Sequence, residues 1–556
     1  MANKKSETKL LKVADLLPAW TRRAVIESTG RDPLGLARVS DAITDFLLPG
    51  ITTQTSRARY YSFYPWCLWH IQQTEPTNRY GEFVEKFQRR DAALALATLA
   101  HGEGDVPVGV DAARPRMEEA KLAGEVDTSF RVLPSNPLGG FGQYYKGSLR
   151  KLELIQYQDG VERVAEGMGT KLAEAFQDSV KETPYIKKGH FKESMAPWKD
   201  LNKSSDALNL NAIEWDPGRD ERALLKSLFF EIESGGEANS STQRPSSLGQ
   251  ILHLFAEYDT HGLPVSWDNL DSALVYWPRY FGILFHSGSR VIRYRHPGAF
   301  DAVHGMWRQF CLHQYFTLAL EEMLAAVLDT LTPHQEGLTL DDLVATILSG
   351  GFQAELSKRV GAACPRPANL LAGIGTKTPP TDQSCLQMQQ ELIPGRNMNE
   401  QDVMRWPIPG PEGRLVRSLC LLAILFSKWR AAQSDAALRE VQRHTGAELW
   451  FAPVGEAMDS WLDVGETWGS WLKAFIQVFI LQRHDVIMFQ KGRLDVSWIG
   501  KLGPKLTKEQ DLAPDVGSSR HWNAVRILKD LCLLKEEDVN LVLTREGKQL
   551  LKRFEG

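Results

Sequence analysis

Two arginines set two residues apart, Arg57 and Arg59, follow a hydroxyl-rich run, Thr52-Thr53-Gln54-Thr55-Ser56. They lead into an aromatic one, Tyr60-Tyr61-Ser62-Phe63-Tyr64-Pro65-Trp66. A guanidinium beside hydroxyls and backbone amides is a common phosphate-binding set. The same planar fork pairs with a carboxylate inside a fold. Both chemistries stay open, the second with Asp32, Asp41 or Asp45 as the acids at hand.

A second cationic feature lies at the other end. From Lys491 onward there are 13 Lys and Arg against 10 Asp and Glu, a local excess of three positive charges in a chain whose net charge is −4. Arg520, His521, Asn523, Arg526 and Lys529 fall on or near a helix of the recognition type, with Lys548 on the helix after it. Such a set fits DNA contact. A charged face solvated beside a protein partner is the other reading.

Catalytic signatures are incomplete. His190-Phe191-Lys192 begins a phospholipase-D-type motif, but the next acid, Asp200, stands at the wrong spacing and no second copy exists. Asp485 with Gln490-Lys491 approaches a restriction-nuclease motif yet lacks the residue between Gln and Lys that would set both on one strand face. There is no GxxxxGK[ST] loop and no Gly-x-Ser-x-Gly elbow after a strand. His304, Cys311 and His313 match no metal-ligand spacing, and the six cysteines stand singly. The expectation is therefore no catalytic residues, no metal and no cofactor.

The elements that would position these residues are mainly helical. Leu36, Val39, Ile43, Phe46 and Leu47 form one apolar helix face that Pro49-Gly50 ends. Tyr60 to Ile71 repeats the pattern, with a kink or a break expected at Pro65. Further helices are expected at 82–99, 148–156, 169–182, 220–233, 248–258, 306–331, 340–348, 353–360, 414–433 and 458–483. The last carries Trp461, Trp468 and Trp471 on roughly one face. These are candidates for a partner interface, with core packing as the competing reading. Residues 134–147 form a loop rich in Gly and aromatics, and Ser234–Ser247 a flexible linker. No internal repeat in the 20–50-residue range is expected. Near the end, a helix through Trp522, Val525 and Leu528 precedes two apolar runs around Lys535-Glu536-Glu537-Asp538, then Thr544-Arg545-Glu546-Gly547-Lys548 and a final helix. Helix, two-stranded wing, helix is the order that ends a winged-helix domain.

Length and composition agree with this. A chain of 556 residues exceeds one core. The expected division is a helical domain over 1–130, a helical middle region over 131–247, a second helical domain over 248–372, an irregular linker over 373–413, a Trp-rich helical segment over 414–490 and a winged-helix-like domain over 491–556. Hydrophobic residues at 43% and charged residues at 24% fit a globular protein. The 16 Trp suit broad packing surfaces. The longest apolar run, near Leu419–Phe426, is far short of the roughly 20 residues that span a bilayer, and the polar start lacks a signal-peptide core. A cytoplasmic protein without a membrane partner is expected.

Taken together, Gly30-Arg31-Asp32-Pro33-Leu34-Gly35-Leu36, Leu47-Leu48-Pro49-Gly50-Ile51-Thr52-Thr53-Gln54-Thr55-Ser56-Arg57-Ala58-Arg59-Tyr60 and Phe63-Tyr64-Pro65-Trp66 resemble the N-terminal signature of a bacterial family of unknown function. That family is seen beside helicases, phospholipase-D-type nucleases and other ATPases in phage-defence islands. The likeness covers residues 30–70. Arg483-His484-Asp485 and Trp498 echo a weaker C-terminal pattern. No catalytic residues carry over, but the resemblance implies that Arg57, Arg59 and Tyr60 are functionally loaded. It also implies an anti-phage setting and is compatible with a helicase and nuclease partner, while the winged-helix-like end is equally compatible with an SMC-type ATPase partner. The leading expectation is a mainly α, multi-domain, non-catalytic subunit that binds or senses DNA and scaffolds a defence complex. A divergent metal-dependent nuclease and a winged-helix transcriptional regulator are the alternatives.

Overall fold

In the computed structural model, the residues described are 32–102, 106–215, 218–231, 243–285, 292–374, 399–408, 410–432, 451–462, 465–491 and 497–555. Most of the expected Ser/Gly linker and much of the 373–413 stretch lie outside them. The protein is mainly α and multi-domain. Among the described residues no helix is long and apolar enough to cross a membrane.

The apolar stripe after Leu36 forms α1 (Ala37–Leu47), buried on Val39, Ile43, Thr44 and Leu47. Asp32 satisfies its first amides, accepting from Leu36 N at 2.9 Å and Ala37 N at 3.2 Å. Helix α2 (Tyr60–Thr74) buries nearly every side chain to Ile71. The expected kink at Pro65 does not break it: the helix runs through the proline. Its rings stack on all sides, Tyr60 on Tyr64 at 5.0 Å and Phe63 on Phe176 at 5.5 Å, and that packing outweighs one missing backbone hydrogen bond. Helix α3 (Tyr80–His101) follows. Helix α4 (Lys146–Lys151) is shorter than the sequence suggests. It leads into an antiparallel hairpin, β1 (Ile155–Gln158) and β2 (Val161–Val164), and then α5 (Met168–Val180).

Helices α6 (Arg219–Phe230) and α7 (Gln243–Thr260) lead to the long central helix α8 (Asp301–Leu331). This packs along α9 (Gly410–Ala432) and against α1. The expected helix over 458–483 is instead a succession: a 3₁₀ turn at Asp459–Leu462, α10 (Trp468–Phe475) and a π-helical stretch at Ile476–Gln482. The chain ends with α11 (His521–Asp530), a hairpin of β3 (Leu534–Glu537) and β4 (Asn540–Leu543), and α12 (Arg545–Glu555). One connected cluster of buried apolar side chains extends from Leu34 to Leu551.

The helix–hairpin–helix unit occurs twice. Shifting the first hairpin by 379 positions superposes its register on the second: Ile155 faces Val164 as Leu534 faces Leu543. The two non-glycine left-handed residues coincide, Glu153 (φ 55°) with Cys532 (φ 57°) and Asp159 (φ 52°) with Asp538 (φ 55°). So do the bonds that splice helix to hairpin. Leu154 N donates to Leu149 O as Leu533 N does to Leu528 O, and Ala165 N to Leu154 O as Thr544 N does to Leu533 O. One extra residue precedes the closing helix of the first copy, after which Gly169 matches Gly547. At each, a Cβ would lie 2.3 Å from a backbone carbonyl, Leu154 O or Leu533 O, so only glycine fits this approach of helix to hairpin. Distant segments complete each unit. α5 and β2 pack on α2, while α12 and β4 pack on α7. Leu541 N donates to Val265 O at 2.7 Å, placing residues 265–266 along the second hairpin's edge.

Candidate functional site

The arginine run lies between the two units. Pro49 and Gly50 end α1, with Gly50 at φ 81° against the side chain of Leu152. Thr55 Oγ1 accepts from Thr52 N at 2.8 Å and closes the turn. Arg57, 3% exposed, donates from Nε to Asp530 at 2.9 and 3.2 Å and from Nη2 to Asn211. Its backbone N reaches Tyr145 Oη at 3.2 Å, and Ala58 N reaches Asp530 at 2.8 Å. Arg59 is wholly buried over the Phe176 ring. Its Nε and Nη2 grip Glu221 at 3.2 and 3.1 Å, Nη2 also reaches Ser179, and Nη1 donates to Ala207 O and Asn209 O. All five guanidinium donors are used. Ser62 donates to the same Glu221 at 2.5 Å.

These are carboxylate pairs, but the acids come from far along the chain. Asp32 caps α1. Asp41 and Asp45 face Arg520, whose Nη1 donates to Asp45 at 2.5 Å and to Ile51 O at 3.1 Å, with Nη2 3.5 Å from Asp41. Burial works to raise the Asp45 carboxyl, and Arg520 and Lys151 outweigh it, so that it titrates below its ordinary value. Lys151 Nζ is 3.3 Å away. Asp45 thus joins the end of α4 in the first unit to the start of α11 in the second.

The remaining cationic candidates divide by exposure. Arg520 and His521 are buried. His521 lies edge-on to Trp307 and contacts Arg279 Nη1, and burial holds its imidazole well below its ordinary value. Asn523 Nδ2 donates to Thr52 O at 2.6 Å. Arg526 and Lys529 are half-buried, Lys529 beside Glu536 at 3.2 Å, and Lys548 is exposed, 2.8 Å from Asp259. The indoles of Trp461, Trp468 and Trp471 are all buried and meet edge-to-face, Trp461 lying 5.6 and 4.8 Å from the other two. The sequence pattern groups Trp522 with the apolar Val525 and Leu528, but it is 43% exposed, its ring tilted against that of Trp267 at 4.5 Å.

The Asp32–Leu36 segment is held from the far side of the protein. Arg483 Nε donates to Leu34 O at 2.6 Å, Lys491 Nζ to Asp32 O at 2.6 Å, and His313 Nε2 lies 2.9 Å from Leu36 O. His484 Nε2 accepts from Trp498 N at 3.3 Å. The N-terminal signature and the weaker Arg483-His484-Asp485/Trp498 pattern therefore meet in space. His190 pairs with Asp200 at 2.8 Å, beside Lys188. Among the described residues no three His, Cys, Asp or Glu side chains converge as metal ligands.

Residues 21–163 match a family of unknown function, DUF6361. The matched stretch takes in α1 to α4, the arginine run and the first hairpin as far as Arg163. No curated protein and no solved structure matches the chain.

Proposed function

We propose that this chain is a DNA-binding or DNA-sensing and scaffolding subunit of a multi-component bacterial anti-phage complex, working with an SMC-type or helicase ATPase, a nuclease, or both. The observation that carries the reading is the doubled helix–hairpin–helix unit. Such units, read as winged-helix modules, present a helix and a hairpin to a macromolecule. Here two are fixed in one frame, with Asp45 tied to both and Arg57 bonded to Asp530 of one and Tyr145 beside the other. Both hairpins project side chains outward, Tyr157 at 63% and Val539 at 75% exposure. The match to DUF6361 says only that residues 21–163 are similar to a family of unknown function; the defence setting rests on the resemblance of residues 30–70 alone.

The test has two arms. Fluorescence anisotropy with labelled duplex DNA at 50 mM salt measures binding, expected to weaken steeply as salt rises. Incubation with plasmid and Mg²⁺ or Mn²⁺ measures cleavage, expected to be absent. Failure to bind, or cleavage that EDTA abolishes, overturns the proposal. Co-purification with the products of neighbouring genes tests the scaffold role.

A further inference from the structure

The two units offer an internal control on surface charge. They share register, backbone conformation and splice bonds, so a position that differs in charge between them is not charged because the fold requires it. Their closing helices differ most. On α12, Arg545, Lys548, Lys552 and Arg553 are all exposed. Arg545, Lys548 and Lys552 recur at intervals of three and four residues, which puts them on one face of the helix, with Arg553 beside Lys552. The matching positions before and on α5 are Gly167, Thr170, Glu174 and Ala175. The same scaffold therefore carries four positive charges at one copy and one negative charge at the other. Lys548 pairs with Asp259, while Arg545, Lys552 and Arg553 have no ion pair among the described residues. The apolar side of α12 is buried on α7, with Phe554 against Gly249 and Phe300, so the cationic side faces solvent.

We infer that α12, rather than α11, is the phosphate-contacting element of the second unit, and that its partner is the sugar–phosphate backbone of nucleic acid. This rests on the DNA-binding reading above. The helix α11 that a winged module would ordinarily insert has Arg520, His521 and Asn523 bonded to the body of the protein. The tip of the second hairpin carries Glu536, Glu537 and Asp538, which repel a polyanion. From Arg545 to Arg553 is about 12 Å along a helix at 1.5 Å per residue, a span that covers more than one phosphate of a single strand. Two guanidiniums and two ammoniums over that distance suit a row of phosphates, the arginines binding two oxygens at once.

The experiment compares the full-length protein with Arg545→Glu/Lys552→Glu/Arg553→Glu and with a control, Lys121→Glu/Lys181→Glu/Lys187→Glu, which makes the same charge change at exposed lysines elsewhere. Anisotropy is read on one labelled duplex between 50 and 200 mM salt. The α12 variant should bind at least tenfold more weakly, with a log–log salt slope shallower by about 2 to 3. The control should stay within about twofold of the wild type. All the substituted side chains are exposed, so melting temperatures should coincide. Wild-type binding that the α12 variant retains overturns this inference and leaves the DNA-binding reading standing, whereas a wild type that does not bind overturns both. Competition by poly-glutamate equal to that by unlabelled DNA, at matched charge, would assign the face to an acidic protein and also overturn it.

Discussion

Breaking the Arg57–Asp530 pair should loosen the second unit from the N-terminal body. Asp530 is the last residue of α11 and takes hydrogen bonds from Arg57 Nε and Ala58 N, all between 2.8 and 3.2 Å. Both side chains are within a few per cent of full burial. Removing one partner of a buried ion pair costs about 3–5 kcal/mol. Asp530→Ala also strips the acceptor from a buried amide, a further 1–3 kcal/mol in the same direction. Asp530→Ala and Arg57→Met are each expected to destabilise the docked state by about 3 kcal/mol or more. Arg57→Met/Asp530→Leu, which removes both charges and fills the space, should recover much of that loss, with a coupling energy of about 2 kcal/mol or more.

Hydrogen exchange on the α11 and α12 amides reports this better than a global melt, because a multi-domain chain need not unfold in one step. At about 3 kcal/mol, protection of those amides falls by more than a hundredfold. The argument is refuted if the single variants leave protection within a factor of two of wild type, or if their effects add to within 0.5 kcal/mol. A variant of Arg57 that kept full protection but lost DNA binding would return the residue to the phosphate reading.

Burial pushes the Asp91 carboxyl up to about 8, outweighing the Tyr64 hydroxyl and the Gly140 amide, which work to lower it. The folded state therefore holds a proton that the unfolded state releases near 4. Stability should fall as pH rises from about 4 to 8, by up to about 1.4 kcal/mol per unit. Asp91→Asn should flatten that slope and stabilise the protein at pH 8, as urea unfolding at pH 6 and 8 would show; an unchanged slope counts against it. Gly169→Ala and Gly547→Ala should each cost about 1–3 kcal/mol because the new methyl meets a carbonyl, whereas Gly147→Ala, with open space around it, should not. Thermal melts of the three variants decide. Trp461→Ala should destabilise by about 3–5 kcal/mol by opening a cavity among Trp468 and Trp471; a variant with wild-type melting that fails only to capture a partner would put these indoles at an interface.

Much of the helical frame was legible because helical periodicity is strong where one face is buried and the other wet, as in α1. It was least informative where every face is buried. The aromatic run of α2 gave a correct helix, but the break allowed for at Pro65 does not occur, since no sequence rule weighs so many buried side chains against one proline. The helix expected over 148–156 stops at Lys151, where Leu152 and Glu153 leave helical geometry. A signal for the hairpin was present: Asp159-Gly160, both with positive φ, is a favoured two-residue turn. The second hairpin was expected from its pattern of apolar runs. The repeat joining the two escaped notice because its copies stand 379 positions apart and share few identities beyond Leu152/Leu531, Leu154/Leu533, Asp159/Asp538 and Gly169/Gly547. The arginines' partners were not legible at all. Asp530 and Glu221 lie 473 and 162 positions from Arg57 and Arg59, while the nearer acids serve a helix start and another arginine.

Costly residues in a short signature need not mark a ligand. Arg59 has no donor left to offer, and Arg57 binds the end of a helix from the opposite terminus. Such residues constrain a sequence strongly, because a buried guanidinium tolerates neither Lys nor a neutral substitute once its acceptors are in place. What they secure is the relative placement of two units whose outer surfaces differ: a glutamate-rich hairpin against Gln156-Tyr157-Gln158, and a cationic closing helix against a nearly neutral one. The arginine signature therefore explains how the two units are held together, and the charge difference between their closing helices is where the proposed nucleic-acid contact is to be tested.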